Sequence, residues 1–404
     1  MKAATLFLTL FLSIVGLGAQ ENWMSRLPDS LAASRVSVPG AHDAATGEGI
    51  RGIIKMGVTQ EKSIARQWSC GIRAFDFRPA VCDGKLHICH GPLKTKITLS
   101  AAIDTLLDCL SRNPREYAIV LLRQERGNDN PDECREWSKM VGEYINTLGE
   151  RAATFSPAIT VGELRGKILF LSRNHYENCP KGARISHWSH SPQGTREAQI
   201  TPYSRSGIAT PATLLVQDFY APVGGNLRNK KAETIIQFID AARAAASGIW
   251  CINHLSGYSR TLLGIKGLAT NKGYRLNAAH CNLTAYNYLT TKAHDATAPQ
   301  NYDGTKAHDA TTRQNYDCTK AHDATTRLNY DGTKAHDATA PQNDDCTKER
   351  KNTAPPLDRK KRAHPASSCG IIMIDYAGCE KIGRLPLYGQ SIIRAIIEQN
   401  FRRE

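Results

Sequence analysis

Val36-Ser37-Val38-Pro39-Gly40-Ala41-His42-Asp43 is a β-branched run broken by Pro-Gly, with a histidine and an aspartate just past the break. Downstream, Gly71-Ile72-Arg73-Ala74-Phe75-Asp76-Phe77-Arg78 leads to Leu86-His87-Ile88-Cys89-His90-Gly91-Pro92. Short apolar runs punctuated by Gly and Pro read as buried strands, and the ends of barrel strands are where such folds present their chemistry. On this reading two imidazoles, a carboxylate and a guanidinium converge at one rim. They are the parts for splitting a phosphodiester without metal: a base, an acid and a fixed cation for the phosphate charge.

The rest of the chain alternates. Leu99–Ser111 has helical spacing at Ile103, Leu106, Leu107 and Leu110 and stops at Asn113-Pro114. Asp132–Leu148, Lys231–Ala246 and Gly389–Phe401 also read as helices. Strands are expected at Val36–Ala41, Gly71–Arg78, Leu86–Cys89, Tyr117–Leu122, Lys167–Ser172, Leu214–Gln217, Gly248–Ile252 and Gly370–Tyr376. Strands alternating with helices predict an α/β fold, a distorted (β/α)8 barrel of the TIM type. Gly47–Trp68 mixes Ile50, Ile53, Ile54 and Met56 with Arg51 and Lys55, the composition of an amphipathic helix. Such a helix either dips into a lipid surface or packs on the barrel.

The 404-residue chain opens with one lysine, the apolar run Leu6–Leu12 and small residues at Gly16-Leu17-Gly18-Ala19. That pattern makes residues 1–20 a secretory signal peptide and predicts a secreted, extracellular protein. Phe401-Arg402-Arg403-Glu404 lacks the hydrophobic tail of a glycolipid anchor signal. Twelve cysteines suit an oxidising route, with Cys82 and Cys89 flanking a turn at Asp83-Gly84-Lys85 as a candidate bridge. Asn282-Leu283-Thr284 is an N-glycosylation sequon. The net charge of +14 favours anionic surfaces and equally describes a merely basic soluble protein.

From Thr291 the texture changes. Thr291–Gly304, Thr305–Cys318, Thr319–Gly332 and Thr333–Cys346 are four near-copies of one polar motif, TKAHDAT followed by a variable half. None has an apolar face, so residues 291–364, closing on the basic cluster Arg359-Lys360-Lys361-Arg362, read as a disordered insert before the last strand. The repeated His-Asp pairs have nothing to hold them in a pocket, and weak metal binding is the other use of repeated histidine. The domain plan is a signal peptide over 1–20, a barrel over 21–290, the insert, and the last strand and helix over 365–404.

Trp23-Met24-Ser25, Val38-Pro39-Gly40-Ala41-His42-Asp43, Gly71-Ile72-Arg73, Asp76-Phe77-Arg78 and His90-Gly91-Pro92 together resemble the bacterial-type phosphatidylinositol-specific phospholipase C family. The resemblance implies a metal-independent lyase that turns phosphatidylinositol into diacylglycerol and inositol 1,2-cyclic phosphate. It implies peripheral contact with a membrane and no nucleic-acid partner. It gives His42 the base role on the inositol 2-hydroxyl, with Asp375 orienting it. His90 becomes the acid for the leaving diacylglycerol oxygen, with Asp43 as its partner, and Arg78 holds the phosphate. Arg173, Asp218 and Tyr220 fall on the family's inositol-binding positions. Arg123 stands where the bacterial enzymes have lysine, which keeps the charge and changes the donor geometry. No metal or other cofactor is expected, because Arg78 occupies the position of an acidic calcium ligand in the eukaryotic branch. Glycosyl-phosphatidylinositol anchors present the same bond and hydroxyl and are a further expected substrate.

Two rivals remain open. A glycerophosphodiester phosphodiesterase is a similar two-histidine barrel, but it resembles a magnesium site of Glu and Asp, whereas Asp76 and Arg78 stand at the corresponding strand end here. The other is a catalytically dead lipid- or glycan-binding protein whose functional part is the repeat insert.

Overall fold

The computed structural model describes residues 20–51, 57–190, 192–204, 210–220, 227–257, 272–291 and 368–402. Nine strands close a barrel: β1 (Val38–Ala41), β2 (Ala74–Phe77), β6 (Ala118–Leu122), β7 (Ile168–Ser172), β8 (Ala183–Ser186), β9 (Arg196–Pro202), β10 (Ala212–Gln217), β11 (Trp250–His254) and β12 (Ile371–Ile374). Between β2 and β6 the chain leaves the barrel for a three-stranded antiparallel sheet of β3 (Pro79–Cys82), β4 (Lys85–His90) and β5 (Leu93–Thr98). The barrel order is β1-β12-β11-β10-β9-β8-β7-β6-β2, and β1 pairs with both β12 and β2 to close it. Residues 292–367 separate β11 from β12 in the chain beyond helix Lys272–Thr291, yet the two strands are neighbours in the sheet. Residues 292–367, which include all four expected repeats past Thr291, lie outside the described residues, as does the expected leader up to residue 19.

The barrel is the expected one with a correction to its direction. β9 runs antiparallel to both β8 and β10, so the sheet is mixed and has nine strands. β9 alternates exposed Glu197 and Gln199 with buried Ala198 and Ile200, a pattern without the continuous apolar run that marks the parallel strands. Leu86–Cys89 belongs to β4 of the small sheet, so His90 is delivered by an excursion rather than by a barrel strand.

Helices α1 (Ile64–Ser69), α2 (Leu99–Arg112), α3 (Pro131–Thr147), α4 (Leu227–Ala244), α5 (Lys272–Thr291) and α6 (Gly389–Gln399) accompany the sheet. Two of them have a readable start. The Thr98 hydroxyl accepts from the Ala101 N–H at the start of α2, and Ile103, Leu106 and Leu110 form its buried stripe. Pro131 opens α3 behind an Asn130 cap. The buried face of α5 uses Ala278, Cys281, Ala285 and Leu289, too small and mixed for a periodic signal. The Gly47–Trp68 helix is not formed as expected. A 3-10 turn covers Ala44–Glu48, Ile50 bridges to Thr95 in an extended contact, and the α-helix begins only at Ile64; residues 52–56 lie outside the description.

One further expectation is corrected. Asn282 is fully buried on α5, where its side-chain amide donates to the carbonyls of Asp375 at 3.1 Å and Leu387 at 2.9 Å, so the sequon is no glycan acceptor in the folded chain. Cys82 and Cys89 are not bonded to each other in the structure, but their thiols lie within hydrogen-bonding reach, as the expected bridge requires.

At the N-terminal end of β2, Arg73 is fully buried. Its Nε donates to Glu116 at 2.9 Å, and its guanidinium lies 3.7 Å over the Trp68 ring. Glu116 also accepts from the backbone of Met24 and Ser25, while Trp23 donates to the Gly71 carbonyl at 3.0 Å. Trp23-Met24-Ser25 and Gly71-Ile72-Arg73 are thus one interlocked support.

Candidate active site

Opposite that support, the C-terminal ends of β1, β2 and β12 bring His42, Arg78 and Asp375 together. Gly40 leaves room for the barrel interior here: a Cβ there would fall 2.4 Å from Met373 Sδ and 3.1 Å from the Ala74 Cβ, so a larger residue would have to displace the methionine side chain. The chain then turns sharply after each strand through a left-handed residue, Asp43 at φ 44° and Tyr376 at φ 54°. Such a conformation costs a non-glycine residue on the order of 1 kcal/mol or more, least for Asp. Here it places Asp43 beside His42 and leaves Asp375 facing it.

His42 Nδ1 donates to Asp375 Oδ1 at 2.8 Å. The carbonyls of His42 and Ile374 both accept from Gln60 Nε2 at 2.8 Å, which pins the two strand ends. With Nδ1 protonated, Nε2 carries the lone pair, and Arg78 Nη2 approaches it to 2.7 Å. Burial alone would depress the basicity of His42, but Asp43 and then Asp375 outweigh it and raise its pKa from 6.5 to about 9. The ring is therefore a strong base, and in its neutral form Arg78 covers the lone pair.

Asp43 is shared. Its Oδ1 lies 2.8 Å from Arg78 Nε, and its Oδ2 lies 3.4 Å from His42 Nε2 and 3.5 Å from His90 Nε2. Burial opposes its charge, but Arg78, His42 and His90 hold its carboxyl far below the usual range. His90 Nδ1 donates to the Gly57 carbonyl at 2.5 Å, which turns Nε2 toward Asp43 and the cavity. The Gly91 N–H donates to Glu125 Oε1 at 2.6 Å and braces this loop.

His42, Asp43 and Asp76 also lie close enough together to suggest metal ligation. They do not fit an ion, because the Arg78 guanidinium already stands among them. It reaches Asp43 Oδ1 at 2.8 Å, Asp76 Oδ2 at 2.9 Å and His42 Nε2 at 2.7 Å.

A cavity of about 200 Å³ opens in front of these groups, lined by His42, Arg78, His90, Arg123, Arg173, Asp218 and Tyr220. Every residue singled out from the sequence is thus brought to one place, with Asp43 and Asp375 directly behind the histidines. The structure adds four that the sequence reading passed over. Asp218 Oδ2 accepts from Trp188 Nε1 at 2.9 Å and His190 Nδ1 at 3.0 Å, and its charge is favoured despite burial with His190 and Arg173 beside it. Arg173 lies 4.4 Å over the Trp188 ring. His254 packs edge-on to His42 at 5.7 Å, and burial pushes its pKa down to about 3, so it is a neutral wall of the base pocket. Glu125 lines the mouth. His254 was within reach of sequence reasoning, since it ends β11 as His42 follows β1; Trp188 and His190 lie in a polar stretch without a strand signal.

No family model matches the chain. It is 32% identical over 160 residues to a 1-phosphatidylinositol phosphodiesterase of Listeria monocytogenes, a match covering 38% of this chain and 49% of that relative. The chain thus spans about half the length of that protein. It is 26% identical over 234 residues to a 1-phosphatidylinositol phosphodiesterase of Staphylococcus aureus, covering 55% of this chain and 70% of the relative. Among solved structures, a phosphatidylinositol-specific phospholipase C of S. aureus superposes with a TM-score of 0.58 at 19% identity, covering 94% of this chain and 97% of that one. The L. monocytogenes phospholipase C gives 0.55 at 20% identity, covering 94% and 98%. These likenesses concern the fold.

Proposed function

We propose that the chain belongs to the bacterial-type phosphatidylinositol-specific phospholipase C family, to whose members it is similar, and that it is a phosphatidylinositol diacylglycerol-lyase working by metal-independent acid–base catalysis. The observation that carries this reading is the His42–Arg78–Asp43–His90 cluster, held around one guanidinium at the mouth of a single cavity.

Arg78 leaves His42 Nε2 to bind the bridging phosphate, which exposes the lone pair. Nε2 takes the proton of the inositol 2-hydroxyl, the 2-oxygen attacks phosphorus, and the diacylglycerol oxygen departs with a proton from His90 Nε2. Asp375 stabilises the His42 cation, and Asp43 steadies both imidazoles and the guanidinium. Arg78 supplies the positive charge that a metal would otherwise provide. Arg123, Arg173, Asp218 and Tyr220 line the space where the inositol ring sits.

The same reading takes in glycosyl-phosphatidylinositol as a second substrate with the same scissile bond. It also takes in membrane-surface action, secretion through residues 1–20, and disulfide formation. Cys251 packs against Gly370, whose chain neighbour is Cys369, and is one place where a bridge is near at hand.

The deciding experiment is turnover of phosphatidylinositol vesicles by the full chain in excess EDTA, beside His42→Ala and His90→Ala, with phosphorus NMR on the product. Cyclic phosphate formed in chelator and lost in both variants is the expected result. Activity restored only by calcium or magnesium would overturn the metal-free mechanism. Lipid binding without turnover would favour the inactive binding protein.

A further inference from the structure

The catalytic cavity shares two of its walls with a larger one. Arg123 and Arg173 line both, and the second cavity, of about 580 Å³, is completed chiefly by Arg184, His187, Asn128 and Trp188. Its lining holds three guanidinium groups and an imidazole and no carboxylate, whereas the catalytic cavity includes Glu125 and Asp218. Among the described residues, none of the three arginines makes an ion pair. Arg184 on β8 pairs with Ser172 on β7, the residue before Arg173, and at this strand end both arginines line the same cavity. Ala183 and Ile185 are buried while Arg184 is exposed. Asn128 and Asn174 bond to each other at 3.3 Å across the rim.

Clustered guanidinium groups repel one another, and the repulsion is strongest where burial removes water. Arg173 shows the effect: burial, with Arg123 and Arg78 nearby, lowers its pKa from 12.5 to about 10 even though Asp218 supports its charge. Planar forks of this kind pair best with phosphate oxygens.

We propose that this second cavity receives a phosphate group borne by the inositol ring in addition to the bridging phosphate, so that phosphorylated inositol lipids are ligands and substrates. The proposal rests on the lyase reading above and specifies its head-group class. The 2-hydroxyl must stay free to attack, so the extra phosphate sits elsewhere on the ring.

The test pairs a binding arm with a turnover arm. In the first, the full chain is titrated with inositol 1-phosphate, inositol 1,4-bisphosphate, inositol 1,5-bisphosphate and inorganic phosphate. In the second, vesicles carry phosphatidylinositol or its 4- or 5-phosphate, with phosphatidylserine adjusted to equalise surface charge. One bisphosphate should bind about tenfold more tightly than the monophosphate, the gain typical of a charge-assisted contact. Arg184→Ala should remove most of that gain, leave phosphatidylinositol turnover unchanged, and lower turnover of the phosphorylated lipid several-fold. Equal binding of mono- and bisphosphates would overturn the proposal, as would an equal loss for every ligand in Arg184→Ala. Inorganic phosphate displacing the bisphosphate at equal concentration would reduce the cavity to a general anion site and likewise overturn it. A bisphosphate that binds while the phosphorylated lipid resists a chain that cleaves phosphatidylinositol would overturn the substrate half. Should phosphatidylinositol itself resist cleavage while the Arg184-dependent preference persists, the lyase reading fails and the phosphate cavity stands.

Discussion

Arg78 Nη2 lies 2.7 Å from His42 Nε2, so the cation meant for the phosphate rests on the lone pair of the base. The same guanidinium holds Asp43 and Asp76, which leaves it one flexible partner, the imidazole, to exchange for substrate. Arg78→Ala should therefore lower kcat by about a hundred- to a thousandfold, the usual cost of removing a donor aimed at developing phosphoryl charge. Arg78→Lys should recover only part of this, because a single ammonium cannot hold both carboxylates and the phosphate. Steady-state kinetics on phosphatidylinositol vesicles, with both variants shown to be folded, checks the order. A lysine variant as active as the parent would remove Arg78 from the centre of the mechanism.

The pH profile reports on the other side of His42. Asp43 and Asp375 overcome burial and raise its pKa to about 9, which favours the charged imidazolium. A base must be neutral to act, so kcat/KM should climb as pH rises through that value. Asp375→Asn removes one of the charges holding the proton, and the ascending limb should move to lower pH, toward the ordinary 6.5, while the plateau falls. An unmoved limb would mean that some other group sets it.

How much of this was legible depends on what kind of signal each residue sits in. His42, Arg78 and Asp375 follow apolar runs broken by turns, and such runs announce buried strands with their ends at one rim. His90 was visible in its own His-Gly-Pro motif, but its route was not: β4 carries a continuous buried run between the mixed strands β3 and β5, and such a run does not distinguish a barrel strand from a side sheet. Trp188 and His190 stand in a polar stretch, and only the tertiary fold carries them to Asp218. Asn282 illustrates the opposite failure. Its local pattern is that of a surface acceptor, while the fold uses the amide to hold the Asp375 and Leu387 backbone.

Glu116 was equally silent in the sequence, and it offers a test separated from catalysis. Both it and Arg73 are fully buried, and Glu116 also accepts from two backbone amides at Met24 and Ser25. Glu116→Ala strands a buried guanidinium, which should cost about 3–5 kcal/mol of stability. Denaturant unfolding should show the loss, while turnover per folded molecule stays near that of the parent, because the pair lies at the far ends of the strands. Unchanged stability would show that the buried pair adds nothing over its hydrophobic surroundings.

The orientation of His90 leads to a chemical rescue experiment. Its Nδ1 is committed to the Gly57 carbonyl, so a proton for the leaving group comes only from Nε2, the atom that faces Asp43. His90→Ala should lower the rate on phosphatidylinositol by about a hundred- to ten-thousandfold, because an alkoxide of diacylglycerol is a poor leaving group without a proton. An inositol phosphate ester of a nitrophenol needs no such help and should lose far less. His42→Ala should fail on both, since attack by the 2-hydroxyl still needs a base. Parallel rates for the two variants on both substrates would show that the two imidazoles do not divide the proton transfers in this way. A selective recovery in His90→Ala alone would assign the leaving-group proton to His90.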